Sequence, residues 1–338
     1  MSFAILLNTF KGMATPADLD YLFGTMRSQL DGYTPTQQET HEFIGSLIQA
    51  IGNELIKDAN KRQERVQALG NIRIYNNAPG DVKFKGINPH VFAFQLALRV
   101  REPSLIDQYA VGLCGANSVM IFFAKHDPKG FAKYAIDLMK DGKGSFNNML
   151  VEPTWSVTGG DWNGKMSAAD VVTMGSLGIY FIDKLLGEGA IPSTIVSWLK
   201  QAGFPNPEDK SFDFPFGWRA DALEANLRAA AQDTQAGKLV IIATNGKIVN
   251  AMAQARNAVI STSGNPQDVR KAGDRNRFMP VGENDQWIRS TNHWTLVSKL
   301  DVDDKFVKVK LYSWKEVLSF SVAKDKFLSY YGGHVTSG

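Results

Sequence analysis

The single cysteine of the chain lies where its neighbours could support nucleophilic chemistry. Cys114 follows a Gly-bounded stretch and precedes apolar residues whose pattern predicts a buried helix that ends near His126. A thiol at the start of a helix lies beside unsatisfied N–H groups and partial positive charge, which favour the thiolate. Gln108, six residues upstream, could donate its side-chain amide to an oxyanion together with the N–H of Cys114. The alternative is a small buried thiol that only packs.

A thiolate mechanism also needs a proton partner, and the sequence offers five histidines: His41, His90, His126, His293 and His334. His41 and His90 lie in predicted helices of the N-terminal part. His126 ends the helix that the cysteine begins, about 18 Å away at the rise of an α-helix, so it cannot reach the thiol. His334 lies in a Gly-flanked tail. His293 begins a predicted buried strand, which holds a side chain firmly, and it is therefore the expected base.

Two alternating strands around Asp303-Asp304 predict a β-hairpin that brings a second segment to His293. With a two-residue turn at this position, His293 lies opposite Trp314 and Trp294 lies opposite Ser313. A one-residue bulge would exchange the side chains that share a face with the histidine. The sequence therefore predicts the proximity of these segments and leaves their register open.

These residues, taken in chain order, resemble the papain-like cysteine peptidases, and most closely the bacterial branches that include the double-glycine-processing type. The features that carry the resemblance are Gln-x5-Cys-Gly at a helix start, a later histidine heading a strand, and a Ser-Trp pair on the next strand. The resemblance implies that Cys114 is the nucleophile, His293 the base and Gln108 the oxyanion-hole donor. It further implies that Trp314 shields the catalytic pair and that Ser313 lies beside the histidine.

The fold that this resemblance implies is α+β and papain-like, with a central Cys-bearing helix packed on an antiparallel sheet. The resemblance covers residues 100–335, and Cys114 and His293 are 179 residues apart. This separation exceeds the ~130–150 residues of papain and cathepsin types, which implies insertions.

The third member of the site departs from the family. The position of its orienting asparagine holds Tyr312, whose side chain is not a carboxamide. Ser313, Asn292, Asp301 or a backbone carbonyl could orient the imidazole instead, or a Cys–His dyad could suffice.

Composition excludes several other classes of protein. The chain has 338 residues with 44% hydrophobic and 21% charged residues, as ordinary globular proteins do. No apolar run approaches the ~20 residues of a membrane span, and the net charge of +3 is spread without the basic cluster of a nucleic-acid-binding protein. One cysteine excludes an internal disulfide framework and a Cys-rich zinc site. Phosphate-loop, His-Glu-x-x-His and Gly-x-Ser-x-Gly motifs are absent from the sequence, so no cofactor or metal is expected.

Two regions are predicted along the chain. Residues 1–100 are mostly helical and are predicted to form an extension that serves delivery or substrate selection. Residues 101–338 are predicted to form the papain-like hydrolase domain. The N-terminus lacks the basic region of a cleaved signal peptide, so we expect synthesis in the bacterial cytoplasm, followed by secretion or delivery into a target cell by another route.

The leading hypothesis is a bacterial effector or toxin that cleaves a protein or peptide substrate. A cognate immunity protein or delivery machinery would be its further partner. One alternative is another thiol amidohydrolase on the same fold, such as a peptidoglycan amidase, a deamidase or a ubiquitin-like-protein hydrolase. An alternative of a different class is a catalytically inactive binding or adaptor module.

Overall fold

The computed structural model describes most of the chain, namely residues 3–12, 29–52, 59–109, 112–162, 166–178, 191–211, 220–245, 249, 293–313 and 315–338. Two compact units are present, Met1–Glu188 and Gly189–Gly338. The division predicted from the sequence, into an extension of residues 1–100 and a hydrolase domain of residues 101–338, concerns function and stays a prediction. The described residues are an α+β structure in which all paired strands are antiparallel, as expected.

The first unit is mainly helical. Its elements are α1 (Phe3–Gly12), a 3-10 turn (Leu30–Gly32), α2 (Gln37–Gly52), α3 (Ala59–Asn77), α4 (Pro89–Arg101), a second 3-10 turn (Pro103–Leu105), α5 (Cys114–His126), α6 (Pro128–Asp141), the hairpin strands β1 (Gly144–Phe146) and β2 (Met149–Val151), α7 (Trp155–Thr158), and α8 (Ala168–Asp170), which continues as a π-helix (Val171–Gly175). The start of α4 follows from its sequence, because the Asn88 side chain accepts hydrogen bonds from the N–H groups of His90 and Val91.

Helix α5 confirms the helix predicted from Cys114 to His126. Its residues from Cys114 to Ile121 are all buried, which explains why the sequence is apolar nearly all round. The helix ends because Asp127 leaves the helical conformation and caps the next helix. The Asp127 carboxylate accepts a hydrogen bond of 2.7 Å from the Gly130 N–H, and Pro128 fits the first turn.

The second unit holds a sheet with helices α9 (Pro192–Gln201), α10 (Ala220–Gln235) and α11 (Lys324–Tyr330). The described strands are β3 (Glu208–Ser211), β4 (Leu239–Thr244), β5 (His293–Val302), β6 (Phe306–Ser313), β7 (Glu316–Ala323) and β8 (Tyr331–Ser337). They form a six-stranded sheet in the order β3-β8-β4-β5-β6-β7. The continuous apolar run Leu239–Ala243 predicts a buried strand, and all six residues of β4 are buried, which confirms it.

The core of the second unit lies between this sheet and α10. Leu227 and Ala230 of α10 pack with Val240 and Ile242 of β4 and with Val297 of β5. Since side chains alternate along a strand, the face that carries these residues also carries the buried polar side chains at the ends of the strands.

The β5–β6 hairpin is confirmed, and its register, which the sequence left open, differs from that of a two-residue turn at Asp303-Asp304. Strand β5 pairs Val302 with Val307, so the turn lies at 304–305 and not at Asp303-Asp304. The Asp303 carboxylate fixes this turn by accepting hydrogen bonds from the N–H groups of Lys305 and Phe306. A bulge between residues 297 and 299 then shifts the pairing again.

A second correction concerns His334. The predicted Gly-flanked tail is strand β8, which lies inside the sheet between β3 and β4. His334 is fully buried there and pairs with Ile242 on one side and Lys210 on the other.

Candidate active site

Cys114 is the first residue of α5 and only 3% exposed. The residue before it, Leu113, has no polar side-chain atom with which to cap the helix, and its carbonyl accepts a hydrogen bond of 2.8 Å from the Asn117 N–H. The carbonyl of Cys114 accepts a hydrogen bond of 3.0 Å from the Ser118 hydroxyl. The thiol therefore lies in the first turn of a rigid helix, where unsatisfied N–H groups favour negative charge.

Gln108 lies between the second 3-10 turn and α5, and its side chain is buried with 5% exposed. Within the described part of the chain, its Oε1 has no hydrogen-bond partner. A buried amide oxygen without a partner costs about 1–3 kcal/mol. Such a cost is tolerated where a ligand completes the hydrogen bonds, and rotation of the amide exchanges its oxygen with its NH₂ donor.

A buried ion cluster lies just upstream of this segment. Arg99 of α4 is 1% exposed. Its Nη1 donates to Asp31 Oδ1 at 2.7 Å, and its Nε and Nη2 donate to the Asp170 carboxylate at 3.0 and 2.7 Å. Ser167 adds its hydroxyl as a donor to Asp170 Oδ2 at 2.8 Å. Burial raises the pKa of Asp170, and the charge of Arg99 acts in the opposite direction.

This cluster was not predicted from the sequence, although one signal was present. Arg99 lies within the mostly apolar stretch Phe92–Val100 of α4. A charged residue on a buried part of a helix requires a buried partner of opposite charge. For Asp170 the sequence Ser167-Ala168-Ala169-Asp170 predicts only a helix start, and the structure has one there, with a hydrogen bond of 3.2 Å from the Asp170 N–H to the Ser167 hydroxyl.

His293 is the first residue of β5 and 6% exposed. Its Nε2 lies 2.7 Å from the Ser313 hydroxyl oxygen, which confirms the predicted proximity of the two segments. The register explains the contact: β5 pairs Leu296 with Tyr312, so by continuation Ser313 lies opposite Thr295, on the face that carries His293. Burial lowers the pKa of His293 to about 4, so the imidazole is neutral at physiological pH.

Of the other residues predicted to orient the imidazole, one is excluded by distance. Asp301 pairs with Lys308 and lies eight residues along β5, about 26 Å from His293 at the rise of a strand. Asn292 and Trp314 lie outside the described residues. The pairing of His293 with Trp314 therefore also lies outside the described residues, whereas continuation of the register places Ser313 opposite Thr295 and not opposite Trp294.

The structure thus describes the predicted site in two parts. Cys114 and Gln108 belong to the first unit, and His293 and Ser313 belong to the second. His293 and Ser313 are in contact.

A second buried histidine cluster, also missed from the sequence, lies in the second unit. His334 Nδ1 lies 3.0 Å from both the Tyr331 hydroxyl and Asn226 Oδ1, and its Nε2 lies 3.7 Å from Asp233 Oδ2. Burial, followed by the charge of Lys210, lowers the pKa of His334 to about 4. These contacts place His334 within the core of the sheet.

The two buried histidines predict that acid destabilises the protein. The pKa values of His293 and His334 are about 4 in the folded chain and ~6.5 in the unfolded chain, so between these values the unfolded state binds more protons. The free energy of unfolding is therefore at its highest, as far as these histidines contribute, above pH ~6.5, and it decreases as the pH drops toward 4. Denaturant titrations across this range measure the slope. His334→Gln should flatten it, and an unchanged slope in that variant would contradict the prediction.

The described residues contain neither a cluster of metal ligands nor a membrane-spanning helix. Among the described residues, no three His, Cys, Asp or Glu side chains lie close enough together to hold a metal ion. Of the helices that the structure describes, none is both long and apolar enough to span a bilayer. Comparisons of the chain with protein-family models, with curated proteins and with solved structures give no match.

Proposed function

We propose that this chain is a papain-like cysteine hydrolase, and that it acts as a peptidase of the bacterial effector or toxin type. The observation that carries the proposal is the position of Cys114, which begins a buried helix and follows a buried glutamine at the spacing of an oxyanion-hole donor. The neutral, buried His293 and its contact with Ser313 support the assignment of the base. The expected substrate is a protein or peptide, and an immunity protein or delivery machinery would be a further partner.

In the proposed reaction, His293 takes the proton of the Cys114 thiol, and the thiolate attacks the acyl carbon of an amide. Because Nε2 of His293 contacts Ser313, proton transfer is assigned to Nδ1. The Gln108 amide and the Cys114 N–H stabilise the tetrahedral oxyanion. The C–N bond then breaks, the imidazolium protonates the leaving amine, and a thioester remains. Water, deprotonated by the imidazole, hydrolyses this thioester and releases the acid and the thiol.

Alkylation by iodoacetamide tests the proposal without knowledge of the substrate. Since the chain has one cysteine, the mass increase of the intact protein reports on Cys114 alone. A neutral imidazole is available as a base down to its pKa of about 4, so we expect labelling to persist at mildly acidic pH and to fall only below that value. A simple thiol, with a pKa of ~8.5, reacts slowly throughout this range.

The matched control is His293→Ala, which should label at the rate of a simple thiol. If wild-type Cys114 labels no faster than that variant or than a small thiol, the hydrolase proposal is wrong. Mass spectrometry of proteins retained by Cys114→Ala identifies the substrate class.

The Gln108→Ala variant is expected to lose acyl transfer selectively. Removal of one oxyanion donor lowers kcat by roughly 10–1000-fold and leaves KM little changed, because the lost interaction forms mainly in the transition state. Acetylation of Cys114 by p-nitrophenyl acetate passes through an oxyanion, whereas alkylation does not, so the ratio of the two rates isolates this effect. An unchanged ratio would remove Gln108 from the oxyanion hole.

The Ser313→Ala variant is expected to cost at most about tenfold in the rate of acetylation. The lost interaction is one neutral hydrogen bond to the imidazole, and such a bond contributes ~1 kcal/mol. Ser298→Ala is the control on the same hairpin, because the Ser298 hydroxyl bonds the Lys310 carbonyl at 3.3 Å. A loss well beyond tenfold in Ser313→Ala alone would show that the hydroxyl does more than orient His293.

A further inference from the structure

The backbone on both sides of Gln108 is held by side chains of the first unit. Before it, the Asp107 N–H donates to Asp170 Oδ2 at 3.3 Å. After it, the Tyr109 N–H donates to Asp107 Oδ1 at 3.1 Å, and the Tyr109 hydroxyl donates to Asp31 Oδ2 at 2.9 Å. The segment that carries Gln108 is therefore fixed at its backbone and through one long side chain.

Tyr109 has an unusual backbone conformation. Its φ is 51°, in the left-handed region that residues with a Cβ seldom occupy. Such a conformation persists only where the surrounding structure holds it, and functional sites are where such residues collect. This conformation lies directly after Gln108, so the backbone beside the glutamine is held in place by the contacts of Tyr109.

The two carboxylates that hold this segment are themselves fixed by one cation. Arg99 donates to Asp31 through Nη1 and Nη2, at 2.7 and 3.1 Å, and to Asp170 through Nε and Nη2. The planar guanidinium therefore sets the relative positions of both carboxylates. Asp170 is fully buried, and Asp31, Arg99 and Asp170 all belong to the first unit.

We propose that Tyr109, anchored by Asp31 and Arg99, is a positioning residue that sets the Gln108 side chain for oxyanion binding. This inference rests on the proposed function of Gln108. It also changes the role of residues 1–100: because Asp31 and Arg99 belong to that region, the N-terminal part supplies active-site scaffold in addition to any role in delivery.

The test compares Tyr109→Phe with Tyr134→Phe. Both variants remove one hydroxyl that donates a hydrogen bond of 2.9 Å, but Tyr134 donates to the Thr173 carbonyl and not to a carboxylate of the ion cluster. The rates of acetylation by p-nitrophenyl acetate and of alkylation by iodoacetamide are measured for each. We expect Tyr109→Phe to lower acetylation by about three- to thirtyfold with alkylation unchanged, and Tyr134→Phe to leave the ratio of the two rates unchanged.

A double variant shows whether Tyr109 acts through Gln108. If it does, adding Tyr109→Phe to Gln108→Ala has no further effect on acetylation, because the positioned group is already gone. Asp31→Asn should reproduce the effect of Tyr109→Phe.

The possible failures are distinguishable. If Gln108→Ala lowers acetylation and Tyr109→Phe does not, the positioning role is wrong and the proposed function stands. If Tyr109→Phe and Tyr134→Phe lower both rates alike, the effect is one of stability and the positioning role is again wrong. If wild-type Cys114 is neither alkylated nor acetylated faster than a simple thiol, the proposed function is wrong. The positioning role is then wrong as well, because it depends on that function.

Discussion

Cys114→Ala and Cys114→Ser are each expected to abolish hydrolysis and to leave the protein folded. The thiolate forms the covalent bond to the acyl group, and neither a methyl group nor an unactivated hydroxyl replaces it. Both substitutions are small, so the free energy of unfolding should change by no more than about 1–2 kcal/mol. Circular dichroism and denaturant titration measure the fold, and turnover of the trapped substrate measures the activity.

The two variants also separate catalysis from packing. Cys114 is 3% exposed, so a purely structural thiol is the competing interpretation. A structural thiol predicts that both variants lose stability, and that wild type and variants are equally inactive. Retained hydrolysis in Cys114→Ala would remove the nucleophile from the proposal.

Local sequence patterns predicted much of the structure that carries the site. Helix α5 begins at Cys114 and ends at His126 as expected, because the signals are local: an apolar run within the helix and Asp127-Pro128 directly after it. Strand β4 and the contact of His293 with Ser313 follow from equally local signals, a short apolar run and two alternating segments joined by a turn.

The register of the hairpin depends on details that a pattern does not contain. The Asp303 carboxylate caps two N–H groups and moves the turn by one residue, and the bulge at Ser298 moves the pairing by another. The shift of the turn changes each cross-strand partner by two residues and keeps the faces, whereas the bulge moves the partners back by one residue and exchanges the faces. After both shifts Ser313 lies opposite Thr295, which places it diagonally across from His293 on the same face of the sheet.

The prediction for His334 is wrong because glycine occurs both in irregular tails and where two strands approach closely. The flanking glycines were interpreted as signs of a tail. In the structure, Gly333 has a φ of 92°, and a Cβ there would lie 2.5 Å from the Ser211 Cα. The glycine therefore permits the close approach of β3 to β8, a use that only the paired strand reveals.

The ion cluster could not be assembled from the sequence, since its members are far apart along the chain. Asp31 and Asp170 are 68 and 71 residues from Arg99. The buried arginine signals a need for a carboxylate, but the sequence holds 34 acidic residues and does not say which of them meets it.

Arg99→Met is expected to cause the largest loss of stability, about 3–5 kcal/mol, because it leaves the carboxylates of Asp31 and Asp170 without their cation. Breaking a buried pair from one side costs more than the pair contributes, since the remaining charge keeps its desolvation penalty. Denaturant titration near neutral pH measures the loss. The matched control is Arg228→Met, which removes a guanidinium whose ion pair with Glu224 is exposed, and which should change stability little.

The pH dependence of the Arg99→Met variant gives the sharper result. Without the arginine, burial and then the charge of Asp31 raise the pKa of Asp170, and the Ser167 hydrogen bond opposes them more weakly than Arg99 did, so the pKa in the folded state rises further above that of the unfolded chain. Between these two pKa values the folded state binds more protons than the unfolded state, so stability increases as the pH falls through the raised pKa toward that of the unfolded chain. This gain opposes the acid destabilisation expected from the buried histidines, so the difference in stability between wild type and Arg99→Met should shrink on acidification. Adding Asp170→Asn should restore part of the stability at neutral pH, because it removes one of the two negative charges that lost the guanidinium. A loss that stays constant with pH, and that Asp170→Asn does not reduce, would mean that Arg99 stabilises the unit by packing and not by its charge.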